Sequence, residues 1–384
     1  MNKCFWRLML VAGSVVILAG CGNKETKEAL QKATALQAQK QYYDANDVLL
    51  EALQARETKI RAEVGTPADQ AAADALGKTV GSDPEILKME RAQIPLYLYM
   101  ERADKACAVY TDILSGSPKD SVVYVLLEDK DPVLRAGAAR VLGLAAQPDA
   151  IDALAAATKD PDQTVRRAAV VALGSIKDPR TVQPLIDALK DSYWDVRSEA
   201  ANGLGQEHDA RAVKPLLDTV TDSDATVQGS AESALLFLSR GPNAAALPND
   251  FANRVTDSNP KVVLISAVCL AMLRDSRAIP VLLKLLDSPD LTTRLDAVKG
   301  LGEVGDPSVI PTLRQTLKDP DVNMRGWSII GLGNLKDTGS LPDLRAIAAD
   351  AGEPSTIKEA AEAAIEHIDT SSPPPTPPTP ADGQ

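Results

Sequence analysis

One phrase returns through this chain with a period near 31 residues, and it limits the fold more than any other feature. An acidic or Pro-bearing turn is followed by a Val-Arg or Leu-Arg step, two small residues and Leu-Gly. It reads Leu134-Arg135, Ala138-Ala139, Leu142-Gly143, then Val165-Arg166, Ala169-Val170, Leu173-Gly174, then Val196-Arg197, Ala200-Ala201, Leu204-Gly205. Weaker copies stand at Val227-Gln228 with Ala231 and Leu235, and at Val262-Val263 with Ala267 and Leu270. Strong copies resume at Arg294 with Ala297 and Leu301-Gly302, and at Arg325 with Leu332-Gly333. Ile357-Lys358 with Ala361 and Ile365 closes the series. The steps between Arg-equivalent positions are 31, 31, 31, 35, 31, 31 and 33, which predicts eight first helices.

The spacing is helical. Small residues three and four positions after the Arg, and Leu seven after it, share one face. Ala there lets neighbouring helices approach closely. The Gly after Leu reads as a C-cap that accepts the left-handed conformation. A second start signal follows in each unit: Asp178-Pro179, Asp209-Ala210, Asp275-Ser276, Asp306-Pro307 and Asp337-Thr338. Asp caps a helix N-terminus, and Pro costs little in the first turn. The second helices read Val182 to Ile186, Val213 to Leu217, Ile279 to Leu283 and Ile310 to Leu313. Acidic turns at Asp160, Asp191, Asp222, Asp287 and Asp319 stop each unit.

The pattern Asp-Pro-x-x-x-Val-Arg-x-x-Ala-Ala-x-x-Leu-Gly, then Asp-Pro-x-x-Val-x-Pro-Leu, resembles the short HEAT-like repeat also found in phycobilisome lyases. The resemblance covers residues 119–369. It implies an all-α fold: a right-handed α-solenoid of about eight HEAT-like hairpins, first helices outside and second helices lining a concave face. No hairpin of this kind buries its apolar side alone, so stacking supplies the stability.

The repeated arginines, Arg135, Arg166, Arg197, Arg294 and Arg325, each follow an Asp by four or six residues. They form either an anion-binding stripe or an Asp–Arg ladder tying each turn to the next unit. Regular spacing beside partnered acids favours the ladder. It fails at Gln228 and Val263, where the spacing also stretches to 35. That segment, with Phe237, Arg240-Gly241-Pro242 and Phe251, is either a bend or partner site or simple repeat drift.

Two flanks differ from the repeats. At the N-terminus Lys3 and Arg7 precede an apolar run, Leu8 to Leu18, too short to span a ~30 Å hydrocarbon core. It runs into Leu18-Ala19-Gly20-Cys21, which resembles a bacterial lipobox. The resemblance implies cleavage after Gly20 and lipid on Cys21, with enough acyl chains for stable anchoring. Gly22, rather than Asp, resembles outer-membrane sorting in a two-membrane bacterium, with the periplasmic face favoured. Loss of residues 1–20 removes Lys3 and Arg7 and no acid, moving the net charge from −12 to −14. Residues 21–118 read as helical. Tyr97, Ala106, Tyr110 and Pro118, and the earlier Ala33, Tyr42, Ala45, Leu49 and Ala52, resemble tetratricopeptide helix pairs, with a plain helical hairpin as the alternative. The Pro-rich tail, residues 370–384, reads as an extended, solvated segment.

Composition removes several functions. An acidic surface does not bind nucleic acid non-specifically. Aromatics are only 3% of the chain, which argues against a base-stacking platform. Two histidines, His208 and His367, exclude a His-rich metal centre. Both sit in Glu-His order, unlike the His-Glu pairs of the HEAT-like di-iron hydroxylase, and His208 reads as a solvated turn residue. Cys107 and Cys269 read as small core residues. No phosphate loop or catalytic triad is present in sequence order.

The expected role is therefore a lipid-anchored, non-catalytic envelope scaffold that binds protein partners, with no cofactor and no small-molecule substrate. A structural or assembly subunit of an envelope complex is second, and a bilin-lyase-like enzyme third. The candidate partner-binding residues are Tyr193 and Trp194, whose adjacency puts at least one on the rim between units. Asp187, Asp218 and Lys284 join them on the second helices, where an acidic stretch would favour a basic partner.

Overall fold

In the computed structural model all eight first helices are present, each of 13 to 15 residues. The structure describes residues 8–11, 14–17, 24–64, 84–99, 102, 105–109 and 122–369. Cys21, most of the second tetratricopeptide-like stretch and the Pro-rich tail lie outside them. The chain divides into two compact units, Met1–Glu207 and His208–Gln384.

The first unit begins with an antiparallel hairpin, β1 (Leu8–Val11) and β2 (Ser14–Ile17), within the apolar run. Helices α1 (Lys24–Ala38), α2 (Tyr42–Val64) and α3 (Pro84–Tyr99) follow. Leu30, Ala33, Ala45, Leu49 and Met89 form their shared core, with Tyr42 and Ala52 packed against it. The Ala33 to Ala52 set read from the sequence is thus one seam. Then come α4 (Val122–Leu126), α5 (Pro132–Leu144), α6 (Ile151–Ala157), α7 (Gln163–Ser175), α8 (Val182–Ala188) and α9 (Trp194–Glu207). First helices α5, α7 and α9 pack side by side, and α3 packs on α5.

The second unit carries α10 (Val213–Thr219), α11 (Ala225–Leu238), α12 (Pro248–Ala252), α13 (Pro260–Met272) and α14 (Ile279–Leu285). It continues with α15 (Leu291–Val304), α16 (Ile310–Thr316), α17 (Val322–Asn334), α18 (Leu341–Ala349) and α19 (Ser355–Asp369). First helices α13, α15, α17 and α19 pack in series; α11 and α13, separated in sequence by α12, meet less extensively.

The acidic turns do the work expected of them, at two levels. Asp160, Asp222 and Asp319 accept the amide two residues on. The next Asp in each turn is the true cap: Asp162, Asp224 and Asp321 accept from the first turn of α7, α11 and α17. Asp209, Asp275, Asp306 and Asp337 cap a single 3-10 turn that leads into each second helix.

The repeated glycines do not cap. Gly143, Gly174, Gly205, Gly302 and Gly333 lie inside their helices and are buried. A Cβ on Gly143 would stand 2.6 Å from Ala172 Cα, and one on Gly302 would stand 2.8 Å from Gly331 Cα. Backbone-to-backbone approach, which Ala would block, is their reason. The left-handed cap comes later. Gly305 holds it after α15, with φ 72°, but Ala146, Arg274 and Lys336 take it elsewhere. At those three ends an amide bonds back five residues: Gln147 to Leu142, Asp275 to Leu270, Asp337 to Leu332. Those bonds satisfy the last helical carbonyls in spite of the side chain.

Candidate functional site

The expected ladder is partial: Arg135, Arg166 and Arg325 each reach an acid of the next unit, whereas Arg294 bonds only the carbonyls of its own turn. Arg135 donates from Nε and Nη2 to the two carboxylate oxygens of Asp160 at 2.7 and 2.8 Å. Arg166 grips Asp191 in the same way at 2.7 and 3.0 Å. In both, Nη1 donates to the carbonyls five and six residues back, so one guanidinium joins its own turn to the next unit. Only about a tenth of each of these four side chains is exposed. Burial alone would raise the Asp160 and Asp191 carboxyls; hydrogen bonds from the arginine and from the turn amide outweigh it and hold both below their ordinary value. Arg197, Arg294 and Arg325 repeat the carbonyl bonds. Arg325 pairs with Glu353 rather than with an Asp. At Gln228 the amide replaces the guanidinium, donating to the Asp222 carbonyl and accepting from Lys261.

Tyr193 and Trp194 are 47% and 49% exposed, so both reach the surface, where at least one is expected. Tyr193 is held at its root. The Tyr193 amide donates to Asp191, and the Arg166 guanidinium lies 5.3 Å from the Tyr193 ring centre. Asp187 is exposed and accepts from Gln183 one turn back. Asp218 is half exposed but not a free negative charge: Lys214 and Arg254 both donate to it at 2.9 Å. The acidic character expected at that position is therefore largely cancelled in place. Lys284 is exposed on α14.

The irregular segment is structured. Phe251 is fully buried and fills the core under α12, while Phe237 is half exposed. His208 is not a solvated turn residue. It is half-buried, adopts φ 51°, and stacks on Phe237 with ring centres 5.0 Å apart. Cys269 is fully buried, and that burial pushes its thiol up to about 12. Among the described residues no group of three His, Cys, Asp or Glu could hold a metal ion. No described helix is long and apolar enough to cross a membrane.

A groove of about 270 Å³ crosses the outward face of α13, between α11 and α15. The floor is Leu264, Ile265, Val268 and Met272, with Leu236 from α11. Glu232 flanks it on one side and Asp296 on the other. Burial raises the Glu232 carboxyl, Lys261 opposing and Asp296 adding. Burial likewise raises Asp296, with Lys299 opposing and Asp290 adding. Two sequence signals mark the place. Leu264, Val268 and Met272 are four residues apart, where α15 carries Leu295, Lys299 and Glu303 and α9 carries Ser198, Asn202 and Gln206. Glu232 occupies the position that Ala139, Val170, Ala201, Ala267, Val298 and Ile329 fill with buried apolar side chains.

The family model described as HEAT repeats matches residues 120–200, 159–236 and 279–366, together more than half of the chain. A model of the PBS lyase HEAT-like repeat matches residues 264–288. No curated protein matches the chain. Among solved structures, the karyopherin Kap121p, bound to the extreme C-terminus of the protein phosphatase Cdc14p, aligns at a TM-score of 0.52 and 13% identity. That alignment covers 91% of this chain and 45% of Kap121p, and it shows the fold alone. An engineered protein aligns at 19% identity and a TM-score of 0.40 over 82% of this chain and 98% of its own. The CpcE–CpcF complex of phycocyanin lyase from Nostoc sp. PCC7120 aligns at 20% identity and a TM-score of 0.31, over 65% and 93%.

Proposed function

The chain belongs to the HEAT-repeat family, and from that premise we propose that it is a lipid-anchored, non-catalytic adaptor of the bacterial envelope. Its repeat surface holds a protein partner, and lipid on Cys21 holds the adaptor at the outer membrane, periplasmic face favoured. The observation that carries this reading is the exposed pair Tyr193 and Trp194, the tyrosine rooted by Asp191 and Arg166. A half-exposed Trp beside an anchored Tyr is side-chain chemistry that often carries interface energy. The same two residues follow an acidic turn whose carboxylate the ladder already occupies, so the anchor for the ring is structural and its outer face is free to bind. The lipobox-like Leu18-Ala19-Gly20-Cys21 supports the tether.

The test has two arms. Cys21→Ala is expected to move the protein from the detergent phase to the aqueous phase, or to leave it unprocessed; identical partition of mutant and wild type contradicts the anchor. Trp194→Ala is expected to lower retention of the partner at least threefold with an unchanged melting curve; unchanged retention contradicts the binding face.

An assembly subunit is the second reading, and it too has an observation behind it. Tyr43, 70% exposed, and Leu50 lie seven residues apart on one face of α2. In that reading the degenerate tetratricopeptide-like helices dock on a fixed neighbour.

A further inference from the structure

We propose that the groove over α13 receives a basic, aliphatic segment of a partner protein, its lysine or arginine lying between Glu232 and Asp296 and its apolar side chains on Leu264, Val268 and Met272. This deepens the adaptor reading and rests on it.

The groove is neither a usual helix surface nor a plain acidic patch. An outward face of a repeat helix is ordinarily polar, since it meets water. Here three aliphatic side chains run along it, half-buried between the neighbouring helices. The charges beside them are unevenly committed. Lys261 donates to Gln228, and Lys299 sits 4.8 Å over the Trp327 ring. Arg240, at the groove's edge, is exposed and screened by water. Among the described residues, the Glu232 and Asp296 carboxylates take part in no hydrogen bond or ion pair. Both are half-buried, so part of the desolvation of their charge has been incurred before anything binds. A cation entering between them therefore gains attraction at a reduced further loss of carboxylate hydration. An anionic or purely apolar occupant would leave both charges stranded, which sets the chemistry of the partner. The chain's own tail after Asp369 contains no Lys or Arg and lacks that chemistry.

The experiment measures fluorescence anisotropy on the full chain carrying Cys21→Ala, so that no lipid is present. The probe is a labelled amphipathic peptide of Leu, Ala and Lys. Its controls carry Glu for every Lys, or Ala for every Leu. Four proteins are compared: the parent, Glu232→Gln/Asp296→Asn, Val268→Lys and Leu144→Ala, an exposed apolar position away from the groove. The parent should bind the Lys peptide and reject both controls. The double amide variant and Val268→Lys should each weaken binding about tenfold or more, and Leu144→Ala should leave it unchanged. Affinity should fall with salt and should fall as the solution is acidified, because burial raises both carboxyls above their ordinary value and protonation removes the charge that a cation meets. The other charged groups facing them are Arg240, Lys261, Lys299, Asp290 and Glu303.

Equal binding of the Glu peptide, or full binding by both groove variants, overturns the proposal. Because Val268→Lys introduces a repelling cation without touching a carboxylate, loss of fold in one variant leaves the other decisive. Sedimentation of the parent alone reveals a second copy in the groove if self-association is lost with Glu232→Gln/Asp296→Asn, and that result also overturns it. Failure here is distinct from failure of the adaptor reading. The latter would show as cellular partner retention indifferent to Trp194→Ala, whatever the peptide does.

Discussion

Replacing Arg166 by Ala removes one guanidinium that five groups use: both oxygens of Asp191, the carbonyls of Asp160 and Pro161, and the Tyr193 ring. The loss is worked from what remains. Asp191 keeps the Tyr193 amide but becomes a charge with only about 9% of its side chain exposed and no cation. Stripping one partner from a buried pair costs about 3–5 kcal/mol. The surviving amide bond and a path to water at the turn reduce that here to about 2–4 kcal/mol. Urea unfolding at pH 7, followed by circular dichroism, measures it. The pH dependence fixes the cause. Asp191 has a depressed folded-state pKa, so its contribution is present above the unfolded carboxyl value and is lost as pH falls through the folded one. The gap between wild type and Arg166→Ala should therefore be full near neutrality and should narrow as the solution is acidified below about pH 4. The double variant Arg166→Met/Asp191→Leu should recover most of the loss, because no charge is stranded. A gap under about 0.5 kcal/mol at pH 7, or one that does not narrow in acid, would refute the ladder as a source of stability.

Gly143→Ala should destabilise by about 1–3 kcal/mol, since its Cβ would meet the Ala172 backbone at 2.6 Å. Gly229→Ala, exposed on α11 with nothing within 4 Å, should stabilise by about 0.5–1 kcal/mol; chemical denaturation of both variants checks the pair, and a shared sign refutes the close-approach account. Cys269 should resist alkylation at pH 8 until the second unit unfolds, because burial holds its thiol at about 12; labelling in the native protein, read by peptide mass spectrometry, would contradict this.

The repeat was legible because each hairpin repeats one local solution: cap, small face, Leu, turn. Register and helix number followed from Arg-to-Arg steps alone. The glycines misled because Leu-Gly at a helix end and Leu-Gly at a helix contact look alike in one strand of sequence. Only the neighbour, Ala172 against Gly143, tells them apart. The pairing of Asp218 was hidden for a similar reason, since Arg254 is 36 residues on and belongs to the irregular insert. His208 read as solvent-facing because its partner, Phe237, comes from the next first helix. The groove over α13 was legible in principle. Glu232 at a buried-apolar position and a three-residue aliphatic stripe on an outward face are both departures from the repeat, and departures are where a repeat protein carries what its scaffold does not need.

The most direct test of the adaptor account is crosslinking in intact cells, followed by detergent extraction and quantitative mass spectrometry of wild type, Trp194→Ala and Cys21→Ala. The account predicts a discrete partner enriched on wild type, reduced at least threefold by Trp194→Ala, and lost with Cys21→Ala as the protein leaves the membrane. The same partner recovered equally from all three would contradict it.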